Sequence, residues 1–421
     1  MWAHELFTCS TFTTDWLRQK MGIESQSAAI PNFPMERTCP YLPPPGYGEL
    51  RANGPISRVK LYDGSVAWLV SGHSEARSLL TNPGISADPE NPGYPFLNAR
   101  RRAVLGQRTL VTMDPPEHSD YRRILIPAFT GRRVAQMRPV IEEIVDDLLE
   151  NMLRQGPPAE LMSSFALPVP SMVICQVLGI PVSDRAFFEN QTQITVKPTT
   201  TPEEAGEAFT RLREYLADLL VQKQRTPGEG LLDDLLSSQV NGRNLNREEI
   251  VSLALLVLVA GHETTASMIG LGTLTLLEYP DQIATLRGDM GLMSSAVEEL
   301  LRFLAIADTM TRVATEDIEI ANQVIRAGDG VILAGAAINR DKRIFESPDD
   351  LDVSRPGRQH HTFGFGVHQC LGQNLARLEM EIAFKGLLSK MPTLKVTVPV
   401  ESLAVKPAGG GQGIFELPIT W

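Results

Sequence analysis

Phe363-Gly364-Phe365-Gly366-Val367-His368-Gln369-Cys370-Leu371-Gly372 stands directly before a long amphipathic segment. Two glycines ahead of the cysteine let the backbone turn tightly and approach something flat and bulky. A helix N-terminus just behind Cys370 places unpaired N–H groups and the positive end of a dipole near the sulfur. That setting is expected to lower the thiol's pKa and favour the thiolate. A lone cysteine in an apolar stretch is ordinarily an inert core residue. Here the frame Phe363-x-x-Gly366-x-x-x-Cys370-x-Gly372 is complete, and Arg377 lies two turns further on.

The rest of the chain bounds the possibilities. It has 421 residues, 43% of them hydrophobic, and a formal net charge of −11, a composition ordinary for a soluble globular protein. No stretch has the Gly/Ser content of a flexible linker. Residues 1–30 read as a mobile arm, with Met21 an alternative start, and residues 31–421 as a single domain. Cys9, Cys39, Cys175 and Cys370 lack the spacing of a metal cluster or a disulfide framework, which points to a reducing compartment. The acidic balance argues against nucleic acid. Met1 to Lys20 has no uninterrupted apolar core, and Leu253–Ala260 is too short for a bilayer, so no membrane anchor and a cytoplasmic location are expected.

Residues 31–50 are proline-rich and read as extended coil. Residues 59–70 read as a hairpin around Asp63-Gly64, and Ser74–Leu80 as a short helix. Residues 83–110 form a long Pro/Gly/Asn/Arg-rich loop of the kind that often serves as a lid. From Glu117 to about Arg302 the pattern is mostly helical, with an apolar stripe on Val140–Leu153. Pro168 and Pro170 end one helix and begin the next. Glu203–Arg225 is amphipathic, and Glu248–Leu277 is apolar nearly all round in its first half, as a helix running through a protein's centre is. Strands follow around 311–314, 318–320 and 330–333, then an irregular stretch over 336–369, a helix over Leu371–Leu388, and short strands within 395–400 and 414–419. The fold class is mainly α, with small β-sheets near the N-terminal part and the C-terminus.

The central helix carries Ala260-Gly261-His262-Glu263-Thr264-Thr265. The Thr264 hydroxyl can bond the Ala260 carbonyl one turn back. With Gly261 in the same turn, this is expected to open the helix locally and make room for a small ligand such as O2. Glu263 and Thr264 then form an acid–alcohol pair able to relay protons. Glu299-Leu300-Leu301-Arg302 pairs opposite charges at i, i+3, on most helices a surface contact contributing about a few tenths of a kcal/mol. His118 and Arg122 lie four apart on one helical face, and two cations on one face suit a carboxylate.

These motifs together resemble the cytochrome P450 family over nearly the whole chain, from about Pro34 to Trp421. The likeness is strongest to the soluble actinobacterial enzymes that hydroxylate macrolides, sterol-like molecules, statins and foreign compounds. Phe165–Cys175 and Leu304–Asp308 also look like that branch. The resemblance implies a helical bundle around a buried haem b, with Cys370 as the thiolate ligand of the iron and Ala260, Gly261, Phe363, Gly364 and Gly372 against the macrocycle. It implies that His118, Arg122, Arg312 and His368 hold the haem propionates. It also implies that Glu299 and Arg302 are buried and lock to Arg355 in the segment before the cysteine loop.

The implied reaction is insertion of one atom of O2 into a C–H bond of a hydrophobic, medium-sized substrate, a polyketide, statin, sterol-like molecule or xenobiotic, with Glu263 and Thr264 delivering protons. No flavin or iron–sulfur domain fits in this length, so electrons are expected from a separate ferredoxin and its NAD(P)H-dependent reductase. Arg122, Arg123, Arg132, Arg133 and Arg377 flank the cysteine loop and are expected to form the docking patch. The substrate pocket is expected to be lined by 83–110, Pro181–Thr201, Leu256–Thr264, Leu304–Ala307 and Gly413–Phe415, and the protein to act as a monomer. Two alternatives remain: a nitric oxide reductase-type haem-thiolate enzyme, disfavoured because those members depart from the acid–alcohol pair, and a non-catalytic haem-binding helical protein. Peroxide-using fatty-acid members, which replace that pair, are disfavoured for the same reason.

Overall fold

A computed structural model of the chain describes residues 30–99, 102, 109–197, 199–407 and 411–421. The arm expected over 1–30, apart from Ile30, the start at Met21 and part of the 83–110 loop lie outside these residues.

In chain order the elements that frame the site are α1 (Gly46–Asn53), β1 (Ile56–Lys60), β2 (Val66–Val70), α2 (His73–Leu80), β3 (Ile85–Ser86), α3 (Glu117–Leu125), α4 (Arg138–Gln155), β4 (Ala159–Glu160), α5 (Pro168–Leu178), α6 (Arg185–Val196), α7 (Pro202–Arg225), α8 (Arg247–Glu278), α9 (Met293–Leu304), β5 (Thr309–Ala314), β6 (Gly330–Ala334), α10 (Gln373–Lys390), β7 (Lys395–Val396) and β8 (Pro418–Thr420). The sequence explains their ends. Asn246 caps α8 by accepting from Glu249 N–H at 3.0 Å while Glu249 reaches back to the Asn246 N–H at 2.7 Å. Thr201 and Glu204 do the same for α7, with Pro202 at its first position.

The hairpin expected at 59–70 is present as β1 and β2, paired antiparallel with Val59 opposite Ala67. Its far neighbour is β6, which runs parallel to β2, and the sheet order is β1-β2-β6-β5-β3. A second sheet, β7-β8-β4, ties the C-terminal tail to the start of the helical region.

Two expectations are corrected. The proline-rich stretch over 31–50 is not coil throughout: Pro45 stands at the start of α1, where its fixed φ suits a first helical turn. The mostly helical run from Glu117 to Arg302 is broken by a small hairpin, Gln239–Val240 with Arg243–Asn244, whose turn residues Asn241 and Gly242 have φ of 50° and 78°. An Asn-Gly pair supplies two left-handed residues at small cost, which is the signal for this turn.

The main hydrophobic cluster draws residues from Cys39 to Ile419. At its centre is α8, 32 residues long, packed on α5, α7 and α10. Among the described residues it is the one helix long and apolar enough to cross a membrane, so the apolar span extends well beyond the expected Leu253–Ala260. Most of α8 is buried. At steps of four, however, Ser252 and Leu256 are half-buried and Ala260 and Thr264 exposed. One stripe of a core helix therefore faces open space, which positions the site. Replacing Asn246 with Ala should lower the stability of the whole molecule by about 1 kcal/mol in urea denaturation, and Asn246→Asp should restore most of it.

Candidate active site

The cysteine loop is built as the glycines predict. Gly364 and Gly366 have φ of 69° and 71°, in the left-handed region. A Cβ on Gly366 would lie 2.3 Å from the backbone oxygen of Leu80, so the close approach of this loop to α2 requires glycine. The Cys370 N–H donates to the Phe363 carbonyl at 2.7 Å and closes the loop. Its sulfur accepts from the backbone N–H groups of Gly372 and Gln373, the start of α10. Those N–H groups, Arg122 and Arg377 all favour the thiolate, but burial is the larger effect and pushes the Cys370 thiol up, not down. The expected direction is thus reversed in the protein alone. A bound metal cation deprotonates a coordinating thiol outright.

On α8 the Thr264 hydroxyl donates to the Ala260 carbonyl at 2.8 Å. The helix nevertheless continues without a break from Arg247 to Glu278, which corrects the expected local opening. A carbonyl has two lone pairs, so the hydroxyl can bond it without displacing the helical N–H. Gly261 has a different part from the one expected. It faces α5, where a Cβ would come within 2.7 Å of Ile174 Cδ1, so its small size serves helix packing. His262 is fully buried, its ring nitrogens held by the Leu258 carbonyl at 2.6 Å and the Thr192 hydroxyl at 3.0 Å. The Glu263 carboxylate is paired with the ammonium of Lys406, a partner the motifs did not indicate.

His118, Arg122, Arg312 and His368 come together from α3, β5 and the cysteine loop. The rings of His118 and His368 are 4.1 Å apart. Burial pushes the His368 ring down to about 3, and Arg312, His118 and Arg122 add to it. Burial also lowers His118, with Arg122 acting the same way and Asp114 opposing. His118 Nδ1 is buried without a partner, and Arg122 donates to the Gln369 carbonyl at 2.5 Å. Four cation-forming groups thus converge with little to neutralise them, a donor set suited to an anionic group.

Behind the cysteine loop lie two carboxylate braces. Glu299, 1% exposed, accepts from Arg302 at 2.7 and 2.8 Å, from Arg355 at 3.1 Å and from the Asp352 N–H at 2.9 Å. Arg302 also donates to the carbonyls of Asn339, Pro348 and Asp350. Beside it, Glu298 accepts from Arg377 at 2.6 and 3.2 Å and from His360 at 3.0 Å, and Arg358 lies 3.2 Å away as an ion-pair partner. His360 Nδ1 accepts from the Thr362 N–H, so His360 is the neutral tautomer that donates through Nε2, in keeping with the lowering of its pKa by burial. Burial would raise Glu298, but its bonds to His360 and Arg377 outweigh this and take it down to about 2. Arg377, 13% exposed, is therefore committed to Glu298 and to the Phe363 ring 4.5 Å away, and Arg122 to Gln369. Both drop out of the expected docking patch. Arg123, Arg132 and Arg133 remain exposed.

A haem-thiolate site is what this arrangement suits, and the comparisons agree. The model of the Cytochrome P450 family matches residues 50–396. The pentalenic acid synthase of Streptomyces avermitilis is 52% identical over 92% of this chain and 97% of its own length. The vitamin D3 dihydroxylase of Streptomyces griseolus is 48% identical over 94% of this chain and 98% of its own length. The crystal structure of the mycinamicin VIII C21 methyl hydroxylase from Micromonospora griseorubida, bound to mycinamicin VIII, superposes with a TM-score of 0.87 at 39% identity, covering 93% of this chain and all of that one.

The chain belongs to the cytochrome P450 family. It is an oxidoreductase of the monooxygenase class, whose cofactor is haem b held by a cysteine thiolate. The residues present fit that group: its two propionates match the unneutralised His118, Arg122, Arg312 and His368 cluster and the unpartnered His118 nitrogen.

Breaking the Glu299 brace should be costly. Arg302→Met leaves a buried carboxylate short of its partner and should lower stability by about 3–5 kcal/mol, read as the denaturation midpoint together with the fraction of chains that take up haem. Glu298 should carry an acid sensitivity. Its folded value is below its ordinary 4.5, so its contribution is complete above about pH 4.5 and is lost as pH falls towards about 2. Unfolding midpoints of wild type and Glu298→Gln, compared from about pH 6 downwards, should therefore converge as the pH drops.

Proposed function

We propose that the chain is a haem-thiolate monooxygenase in which Cys370 is the iron ligand and the substrate is a hydrophobic, medium-sized small molecule. The observation that carries this reading is the exposed Ala260–Thr264 step on a helix otherwise buried in the core. Bound haem supplies O2 binding and the insertion of one oxygen atom into a C–H bond. The chain's own residues do the rest. The loop closed by the Cys370–Phe363 bond presents the sulfur. His118, Arg122, Arg312 and His368 bind the propionates and set the orientation of the macrocycle. The Ala260 carbonyl orients the Thr264 hydroxyl, and Glu263, its neighbour on the helix, passes protons towards it.

The substrate class is supported by the wall and by the named relatives. Leu256, Ala260 and Ala307 present apolar surface, and a core-facing apolar wall suits an apolar skeleton. The relatives, pentalenic acid synthase, vitamin D3 dihydroxylase and mycinamicin VIII C21 methyl hydroxylase, point by name to terpenoid, sterol-like and macrolide carbon frames. Statins and xenobiotics of similar size belong to the same proposal. Electrons come from a ferredoxin and its NAD(P)H-dependent reductase, which dock near exposed Arg123, Arg132 and Arg133. The net charge of −11 favours a monomer, and four cysteines without framework spacing suit the reducing cytoplasm.

The reduced, CO-treated protein should show a thiolate-type Soret shift that Cys370→Ser abolishes; a wild-type spectrum without that shift refutes the assignment. Glu263→Gln should reduce product formation by about 10²-fold while leaving substrate-induced spin-state changes intact. Reversing charge at Arg123 and Arg132 together should slow ferredoxin-driven turnover at low ionic strength, and added salt should erase the difference from wild type.

A further inference from the structure

Lys406 belongs to no motif, yet it occupies a constructed place. The tail folds back on itself: Lys406 N–H donates to the Gly413 carbonyl at 2.8 Å, Phe415 N–H to the Ala404 carbonyl at 3.0 Å, and Val405 bridges Ile414. This pin points the Lys406 side chain, 10% exposed, at α8. Its ammonium donates to the Glu263 carboxylate and, at 3.0 Å, to the Ser267 hydroxyl. Glu263 and Ser267 are one turn apart on the stripe adjacent to Ala260 and Thr264. Gly413 permits the approach, since a Cβ there would lie 2.7 Å from Ser267 Oγ and 2.9 Å from Lys406 Cδ.

The same pin reaches the substrate wall. Gln412 N–H donates to the Ile306 carbonyl at 2.9 Å, and the Gln412 side chain to the Pro40 carbonyl at 2.7 Å. Ile306 precedes Ala307, whose side is open. Just beyond, Asp308 is fixed by Arg37 at 3.0 Å, Tyr47 at 3.1 Å and the Ala336 N–H at 2.8 Å. Residues of one short stretch of tail therefore touch both Glu263 and the connection between α9 and β5 that carries Ala307.

We propose that Lys406 is a positioning residue that tethers the Glu263 carboxylate to the tail, and that substrate pressing on Ala307 loosens the tether through Ile306 and Gln412. This rests on the assignment of Glu263 as proton donor. While tethered, Glu263 has its Oε1 committed to the ammonium, on the side of the helix that carries Ser267. Released, the carboxylate takes a proton from water, gives it towards Thr264, and takes another from water for the next delivery. Proton delivery is then conditional on substrate, and the enzyme is protected from consuming reductant when the site holds none.

The test uses the haem-loaded full chain with Lys406→Met, Lys406→Gln, Lys406→Arg and Glu263→Gln. Without substrate, and with a ferredoxin and reductase supplying electrons, Lys406→Met and Lys406→Gln should raise NADH consumption and peroxide release about fivefold. Lys406→Arg should stay near wild type, because it keeps the cation. Amide hydrogen exchange of residues 404–406 and 411–415 should rise alike in Lys406→Met and Glu263→Gln, and in wild type on adding a substrate that shifts the spin state. If the Lys406 variants match wild type in substrate-free reductant use while Glu263→Gln loses product, the tether is wrong and the relay stands. If Glu263→Gln itself couples like wild type, the relay fails, and the tether with it.

Discussion

Everything on the cysteine side of the molecule depends on one buried carboxylate. Glu299 is almost wholly withdrawn from water and accepts from two arginines and one backbone N–H. A buried charge is tolerable only when its partners are close and its remaining lone pairs are used. That requirement fixes geometry. Arg302 can satisfy Glu299 from the same helix, but its remaining donors must find the carbonyls of Asn339, Pro348 and Asp350, and Arg355 must come in from the segment that leads to the cysteine loop. An irregular stretch with little ladder hydrogen bonding is thereby held against α9. Without that anchor the Phe363–Cys370 loop would have no fixed base from which to turn.

Charge is distributed unequally around this base. Behind the loop, Glu298 and Glu299 gather arginines and one neutral histidine until every group is answered. In front of it, His118, Arg122, Arg312 and His368 are left facing one another. Like groups brought together in a buried place repel and lose solvation, so the second cluster is destabilised unless an anion joins it. The two arrangements divide the labour: the satisfied network contributes rigidity, and the unsatisfied one has the charge that the proposed haem-propionate site requires.

Much of this was legible in the sequence, and for identifiable reasons. The Cys370 frame, the Glu299–Arg302 spacing and the Thr264–Ala260 step are local patterns whose geometry follows from a turn of chain. The hairpin at 59–70 and the long helix around 248–277 follow from periodicity. What was not legible depends on partners distant in sequence. Arg377 reads as a surface cation until Glu298, 79 positions away, is found beside it. Gly261 reads as part of an opening until Ile174 of α5 is seen against it. The pairing of β2 with β6 joins residues more than two hundred positions apart, and no alternation pattern specifies a partner. The direction of the Cys370 shift was missed because local sequence reports the helix N-terminus but not the depth of burial. The Asn241-Gly242 turn is different, since its signal was present and was overridden by the surrounding helical pattern.

Lys406 is the extreme case of a residue defined by tertiary position. A lysine near a chain's end is by default a solvated charge, and nothing in Val405-Lys406-Pro407 says otherwise. Its meaning comes from three constraints acting together. The Gly413 carbonyl fixes its backbone, the absence of a Cβ at Gly413 leaves it a channel, and the Glu263–Ser267 stripe gives its ammonium two acceptors. Burying an ammonium is unfavourable unless it is paired, so the tail cannot reach this position without committing Glu263. The fold therefore couples two things that chemistry would leave independent: where the C-terminal tail rests and what the acid on the central helix is free to do. The braced cysteine loop and the proposed Lys406 tether are complementary, because in the proposed function the loop that holds the iron must not move while the Glu263 carboxylate has to.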